Sequence, residues 1–327
     1  MTLFSAEQLE EHRIGLTGFC YRMLGGAAEA EDAVQETMLR AWRAADSYDP
    51  SRGAFSTWLY RIATNLCLDL LRGSARRAIA IDLGPAATGP ELGIPLPNDH
   101  WVRPMPDARM LPGDPADLAA QRESVRLAFV AALQQLPPKQ RAVLIMREVL
   151  GWPAAEVATL LDSSVASVNS ALQRARATLR QPAPAAPLDA AHRSLLDRYV
   201  DAFERFDIEA LTALLHEDAT MSMPPFAWWL RGRAAIRTAL EHSDGTCLGA
   251  RLLPVAVNGT PAFGQYHPDG DRYRPFAIDV LDLADGRIVG MTTFLDAADD
   301  FARFGLPIEL RRRVPMSFRV TVRTTGV

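Results

Sequence analysis

The side chains best placed to do chemistry lie in one short segment, GWPAAEVATLLDSSVASVNSALQRARATLR at 151–180. Ala155, Val157, Ala158 and Leu161 are spaced for the buried face of a short helix beginning just after Pro153. Asp162, Ser163 and Ser164 then offer a turn and an N-cap. The spacing predicts a second helix from about Val165 to Leu179 that buries Val165, Val168, Leu172 and Ala175. Ser167, Asn169, Ser170, Gln173, Arg174 and Arg176 fall on its opposite side. Short polar and amide groups early in a helix can read base edges in the major groove, and arginines serve guanine or phosphate. The same pattern also describes an amphipathic helical hairpin with a solvated face, so the segment alone leaves both readings open.

Elsewhere the reactive types are scattered. His216, Asp218, Tyr266, His267, Asp279 and Asp296 include acid–base candidates, yet no spacing among them demands a reaction. His216 and Asp218 are too few to hold a metal. Cys20, Cys67 and Cys247 are far apart and form no CxxC pair, which supports neither a disulfide framework nor a zinc site. Met221, Met223, Phe226, Trp228 and Trp229 form an apolar stripe that reads as core or as a pocket wall.

These groups must be held by more than one domain. The chain has 327 residues, 48% hydrophobic and 23% charged, ordinary for a folded soluble protein of two or three domains. No apolar run is long enough to cross a bilayer, and the start, MTLFSAEQLEEHR, lacks a secretory layout, so a cytosolic protein is expected. The net charge of −4 argues against a chain that is basic throughout but allows a local phosphate-facing surface. All but one of the 35 basic residues are arginine; Lys139 is the exception.

Residues 78–120 hold 8 of the 23 prolines and read as an extended linker in which helix cannot persist. Ile94, Leu96, Trp101, Val102 and Met105 are apolar anchors that a free tether would not need. A second break, QPAPAAPL, lies at 181–188, giving a linker at 182–189. The first block, 5–77, reads as helical. Leu16, Phe19, Cys20 and Met23 recur at helical spacing before Gly25-Gly26, and Ala28 to Ala44 follows with a stripe of Ala33, Met38, Leu39 and Trp42. A third helix runs from Thr57 to about Arg72. The second block, 121–181, is helical, with eight basic and four acidic residues up to Arg180. The third, 190–307, starts helical and turns strand-like, with Asn258-Gly259, Asp269-Gly270 and Asp285-Gly286 as hairpin turns. A basic tail, 308–327, closes the chain and is assigned no role.

The second block, from LPPKQRAVLIMREVLGW onward, resembles domain 4 of bacterial sigma factors. FCYRMLGGAAEAEDAVQETMLRAWRA with FSTWLYRIATNLCLDLLRGSARR resembles their domain 2. The pair in this order is similar to the extracytoplasmic-function (ECF) group. The resemblance implies binding to core bacterial RNA polymerase, at the β′ clamp helices and the β flap, and initiation at promoter DNA. It implies no reaction catalysed by the chain itself. Asp32, Gln35, Glu36 and Arg40 take the core-binding positions; without the resemblance their charges read as solvating a helix. YDPSRGAFSTWLYRIATNLCLDLLR resembles the element that opens and reads the -10 sequence. There Gly53 and Ser56 can shape a pocket for an unstacked base, and Phe55, Trp58 and Tyr60 can stack or wedge. Arg61, Asn65, Arg72, Arg76 and Arg77 can follow the backbone or bond bases. Trp58 and Leu59 cannot both face DNA, so Trp58 is expected to be partly structural. In relatives Asn169, Ser170, Gln173 and Arg174 enter the major groove at the -35 element, and Arg176 meets phosphate. Asn169 stands where arginine is common, which suits adenine rather than guanine. Arg141 and Arg147 are further basic candidates, for which surface charge is an equal reading.

AHRSLLDRYVDAFERFDIEALTALLHEDATMSMPP and WWLRGRAAIRTAL resemble the SnoaL-like branch of the NTF2-like fold, a cone of curved sheet closed by helices around a pocket. The implied fold class is multidomain: two all-α sigma domains, a domain 2 bundle and a domain 4 helix-turn-helix, followed by an α+β SnoaL-like (NTF2-like) cone. Sigma factors with this appendage form an ECF subgroup, which IDLGP, SMPP and FLD also resemble, and there the implied role of the added domain is regulation. His216, Met221, Met223, Trp228 and Trp229 are the pocket candidates, for a small ligand or as core behind a protein-contacting surface. Two alternatives stand beside this reading: cyclase- or isomerase-like activity in the last domain, and a helix-turn-helix regulator independent of polymerase. No cofactor, metal or membrane partner is implied.

Overall fold

Apolar residues three and four apart in the first block draw its helices around one another. In the computed structural model, which describes residues 4–51, 53–111, 121–179 and 190–311, the block holds α1 (Ala6–Glu10), α2 (Arg13–Leu24), α3 (Ala27–Arg43) and α4 (Phe55–Leu70). Ser5 and Gln8 close a capping box on α1, and Gly25 ends α2 in the left-handed region at φ 72°. Leu16, Phe19, Cys20 and Met23 of α2 share a core with Ala30, Ala33 and Val34 of α3 and Ala63, Leu66 and Cys67 of α4. Leu39 and Trp42, expected in the α3 stripe, are exposed at 41% and 48%, because α2 and α4 cover only the Ala33–Met38 side.

The linker is a packed strap where it is described. Trp101, Val102, Met105 and Met110 are buried, and Ala78 bridges Trp101; Ile94, expected as an anchor, is exposed. Its prolines prevent long helix without preventing burial, since the strap's backbone groups bond to the domains on either side. Among the described residues of 78–111 the α-helix is the single turn α5 (Asp107–Met110).

The second block contributes α6 (Leu127–Gln134), α7 (Pro138–Leu144, continuing as a π-helical turn over Ile145–Val149), α8 (Ala154–Leu160) and α9 (Val165–Thr178). Ser164 caps α9 by accepting the Ser167 N–H at 3.1 Å, as the DSS turn predicts. Val168, Leu172 and Ala175 are buried; Val165 is exposed, because no earlier turn of the helix lies beneath a residue at its first position.

The third block wraps α10 (Ala190–Glu204), α11 (Ile208–Ala213) and α12 (Arg233–Glu241) onto one sheet. The strands are β1 (Leu215–Ser222), β2 (Trp229–Arg231), β3 (Arg251–Val257), β4 (Thr260–Asp269), β5 (Arg272–Ala284), β6 (Arg287–Phe294) and β7 (Leu310–Arg311). Their order is β2-β1-β6-β5-β4-β3, parallel only between β1 and β6. The register breaks at Gln265/Tyr266 and Asp282/Leu283, of the kind that bends a sheet locally. Asn258-Gly259 and Asp285-Gly286 both take positive φ at both positions, the two-residue hairpin geometry their types predict. β7 pairs with β5, so Leu310 and Arg311 belong to the sheet rather than to a tail. Residues 312–327, 182–189 and 112–120, expected as the tail, the second linker and the end of the first, lie outside the described residues.

The β3–β4 hairpin tip joins the blocks. Asn258 is fully buried and its Nδ2 donates to the Tyr21 hydroxyl (2.7 Å) and to the Val125 carbonyl (2.6 Å). Its Oδ1 accepts the Met105 N–H (2.9 Å), and the Gly259 N–H donates to Asp107 (2.8 Å). A Cβ at Gly259 would lie 2.6 Å from the Arg122 carbonyl oxygen, so only glycine fits that approach. Ion pairs also join the third block to the earlier segments: Arg103 with Asp296, Arg126 with Asp282 (2.7 Å) and Arg303 with Glu31 (3.2 Å).

Candidate nucleic-acid interface and C-terminal cavity

On α9 the residues Ser167, Asn169, Ser170, Gln173, Arg174 and Arg176 are all exposed and share the face opposite Val168, Leu172 and Ala175. Arg176 pairs with Glu148 at 2.5 Å. Arg147 donates to the Trp152 carbonyl and is half-buried. Arg141 is a correction: it is 4% exposed and its guanidinium bonds carbonyls of Met23, Gln134 and Leu136. Burial lowers its pKa to about 10, which still leaves it charged at neutral pH.

The candidates on and after α4 divide. Arg61, Asn65, Arg72 and Arg76 are exposed, and Arg72 pairs with Asp69 at 3.2 Å. Ser56 is half-buried near the start of α4. Trp58 is half-buried in an aromatic cluster, stacked on Phe55 with centroids 5.9 Å apart and tilted against Phe4, so it is partly structural as expected. Tyr60 is buried and packs edge-on against Trp152 of the second block, while the Thr57 hydroxyl donates to Glu156 of α8. Arg77 is the second correction. It is 8% exposed, bonds the carbonyls of Asn98 and Trp101 and pairs with Glu29, so it fastens the strap rather than facing a nucleic acid. Arg77→Ala is expected to lose about 2–4 kcal/mol of stability, because buried acceptors lose a charged donor. A chemical-denaturation midpoint unchanged from wild type would contradict this.

On α3, Asp32, Gln35 and Arg40 are exposed and Glu36 is half-buried, paired with Arg40 at 2.6 Å. Leu39 and Trp42 lie beside Gln35 on the same exposed side, an i, i+4, i+7 stripe not counted among the candidates. A stripe of this spacing with acidic neighbours is the signal that could have found them.

In the third block a cavity of about 400 Å³ opens between the sheet and the helices. Met221, Met223 and Trp228 line it as expected. His216 does not; its Nδ1 accepts the Asp218 N–H at 3.1 Å beside the strand. Trp229 does not either; at the start of β2 it packs instead with Ala80 and Trp101 of the strap. The acid–base candidates are dispersed: Tyr266 donates to the Pro307 carbonyl, Asp296 pairs with Arg103, and His267 stacks on Phe276. Asp279 alone is buried near the cavity, where desolvation raises its pKa to about 7 against the lowering effect of the Thr293 hydroxyl. No group of three or more metal-ligating side chains occurs among the described residues. Among these residues no helix is long and apolar enough to cross a membrane.

Residues 9–77 match the Sigma-70 region 2 family, 126–179 the Sigma-70 region 4 family and 196–291 the SnoaL-like domain family. The chain belongs to the ECF RNA polymerase sigma factors, with a SnoaL-like domain fused behind region 4. It is 42% identical over 319 residues to the ECF RNA polymerase sigma factor SigG of Mycobacterium tuberculosis (strain H37Rv), spanning 94% of this chain and 85% of that protein. It is 29% identical to SigJ of the same organism over 330 residues, 96% of this chain and 97% of SigJ. The crystal structure of SigJ superposes with a TM-score of 0.59 at 26% identity, covering 93% of this chain and 100% of that one.

Proposed function

We propose that region 2 binds the β′ clamp helices of core polymerase through Asp32, Gln35, Glu36 and Arg40 on α3, and region 4 meets the β flap. Ser56, Trp58, Arg61, Asn65, Arg72 and Arg76 read and open the -10 element. Ser167, Asn169, Ser170, Gln173 and Arg174 on α9 read -35, with Arg176 on phosphate. The SnoaL-like domain modulates initiation in response to a small ligand. The observation that carries this reading is the exposed polar face of α9, capped at Ser164 and borne on the same chain as the exposed face of α3. No reacting group is needed in the chain, because nucleotide chemistry belongs to core polymerase.

The test is run-off transcription with purified core, comparing the full chain with a truncation ending at Gln181. Specific transcripts from the full chain support the reading, and the truncation gives the sign of the C-terminal effect. Failure of both to bind core would overturn it. Arg174→Ala is expected to cost about 1–3 kcal/mol and to relax preference at one -35 position. Undiminished discrimination there in a competition binding assay would remove Arg174 from the reading surface.

A further inference from the structure

Pro85, Pro90 and Pro95 keep the middle of the strap out of helix, which leaves its backbone groups to be satisfied by a neighbour. The third block is that neighbour. Ala87 N–H donates to the Trp229 carbonyl (2.7 Å) and Leu96 N–H to the Pro225 carbonyl (2.8 Å). The indoles of Trp228 and Trp229 donate to the carbonyls of Gly89 (2.9 Å) and Gly84 (3.0 Å). Between these bonds Ala87 and Leu92 pack against the core of the third block. Pro90 and Leu92 line its cavity, so the wall of that cavity is built from two parts of the chain.

The rest of the lining sets what the cavity can hold. Phe203, Leu211, Met223 and Trp228 make its walls largely apolar, and about 400 Å³ is the size of a small-molecule site. The polar groups on the wall are already engaged. Asp207 accepts the Ala210 N–H (2.9 Å) and lies 3.6 Å from Arg205, and Asp244 accepts the Thr246 N–H (3.0 Å). The His242 ring bonds the Thr238 carbonyl (2.7 Å), and the Thr293 hydroxyl donates to Asp279 (2.7 Å). No arginine or lysine occurs among the described lining residues. A charged molecule entering here would lose water without gaining a free counter-charge, whereas an apolar one gains by leaving water.

We infer that this composite cavity binds a neutral, largely apolar small molecule against Pro90 and Leu92, so that occupancy and strap seating stabilise one another. The inference rests on the ligand-responsive reading of the SnoaL-like domain given above, and adds to it the class of molecule and the element that carries its effect. The coupling is reciprocal: an occupant that gains from the seated strap holds the strap seated by the same factor. Because the strap joins regions 2 and 4, an occupant that keeps it seated opposes their parting and lowers initiation.

The test titrates the full chain with N-phenyl-1-naphthylamine, whose fluorescence rises in apolar surroundings, and with its anionic counterpart 1-anilinonaphthalene-8-sulfonate. The neutral probe should bind saturably and about tenfold or more tighter than the anion, which has no free cation to meet. Hydrogen exchange then follows the Ala87 and Leu96 amides, whose bonds to the third block last only while the strap is seated. Saturating neutral probe should slow exchange at both by about tenfold. Leu92→Ala, which thins the wall on the strap side, should weaken the neutral probe by about threefold to tenfold. Met223→Trp, which fills the cavity, should abolish both the binding and the probe-dependent protection. No saturable binding, a preference for the anion, undiminished affinity in Leu92→Ala, or exchange at Ala87 and Leu96 indifferent to the probe would each overturn the inference. If Met223→Trp does not fold, Leu92→Ala and the exchange measurement decide it. Run-off transcription with core polymerase is followed in parallel. A chain that starts transcripts but takes no probe loses this inference alone. One that takes the probe and protects the strap with transcription unmoved keeps the site and loses the regulatory reading.

Discussion

Asn258→Gly is expected to loosen the molecule and raise its activity in run-off transcription. Glycine accepts the positive φ of 52°, so the hairpin turn survives and only the side-chain bonds are lost. Those bonds hold region 2 through Tyr21, the strap through Met105 and the approach to region 4 through Val125. Their loss leaves the Met105 N–H and the Val125 carbonyl buried without the partner they had, at about 1–3 kcal/mol each. A closed state weakened by about 3 kcal/mol shifts the closed-to-open ratio by roughly two orders of magnitude. The sign of the transcriptional effect follows from geometry. Elements about 25 base pairs apart lie on the order of 85 Å apart along a duplex rising ~3.4 Å per pair. Here α4 touches the second block, through Thr57 with Glu156 of α8 and Tyr60 with Trp152 just before it. On the reading proposed above, those contacts must part before both elements are read. Small-angle scattering should show a larger radius of gyration for Asn258→Gly, with circular dichroism unchanged. An unchanged radius would refute the role of the tip as a lock.

The second large effect is on stability. Arg141→Leu should destabilise the chain by about 3–5 kcal/mol, because it removes a buried cation and strands several carbonyls at once. The guanidinium bonds Met23 of region 2 and Gln134 and Leu136 of region 4, with Gln134 Oε1 at 2.5 Å, so the loss is felt on both sides. Arg141→Lys should recover only part of it, since an ammonium cannot span the same acceptors as a planar fork. Urea unfolding measures the loss. A wild-type midpoint combined with weakened -35 binding would return Arg141 to the DNA-reading surface.

The contrast between Arg141 and Arg174 shows what a sequence can carry. The two lie on α7 and α9 of the same block and look alike as residue types. Periodicity separates α9 cleanly, because Val168, Leu172 and Ala175 place Arg174 outward. It fails for Arg141 and Arg77, whose partners are backbone carbonyls more distant in the chain. No side-chain pattern records such acceptors. Asp269 pairs with Arg272, so the expected Asp269-Gly270 turn falls on Gly270-Asp271, whereas the turns at Asn258-Gly259 and Asp285-Gly286 were legible from residue types whose conformational preferences are local. The use of the Asn258 tip was not, because its seat comes from three other segments. Met221, on β1, and Met223, just past its end, both line the cavity as their residue types suggest. Trp228 precedes β2 and Trp229 opens it, so no strand pattern in the sequence told which of the two would line it. Proline spacing alone looks the same in a tether and in a packed segment; Trp101, Val102 and Met105 marked the strap as anchored, and Ile94 was the anchor misjudged. Trp101 and Ile94, one buried and one exposed, differ only in what the rest of the fold lays over them.

The hairpin tip and its seat belong to one polypeptide, and if the tip acts as the proposed lock, that fixes the kind of control it can exert. Closure is a unimolecular equilibrium, so dilution and expression level leave its position unchanged. A separate inhibitory subunit would release the sigma factor whenever its own concentration fell below the dissociation constant. Here the stoichiometry is always one to one, and the effective concentration set by a short covalent connection is of millimolar order. A weak interface therefore suffices to keep the molecule shut. The cell can change the outcome only by altering the free energy of the interface itself, through a bound molecule or a competing surface, and not by changing how much of either half it makes.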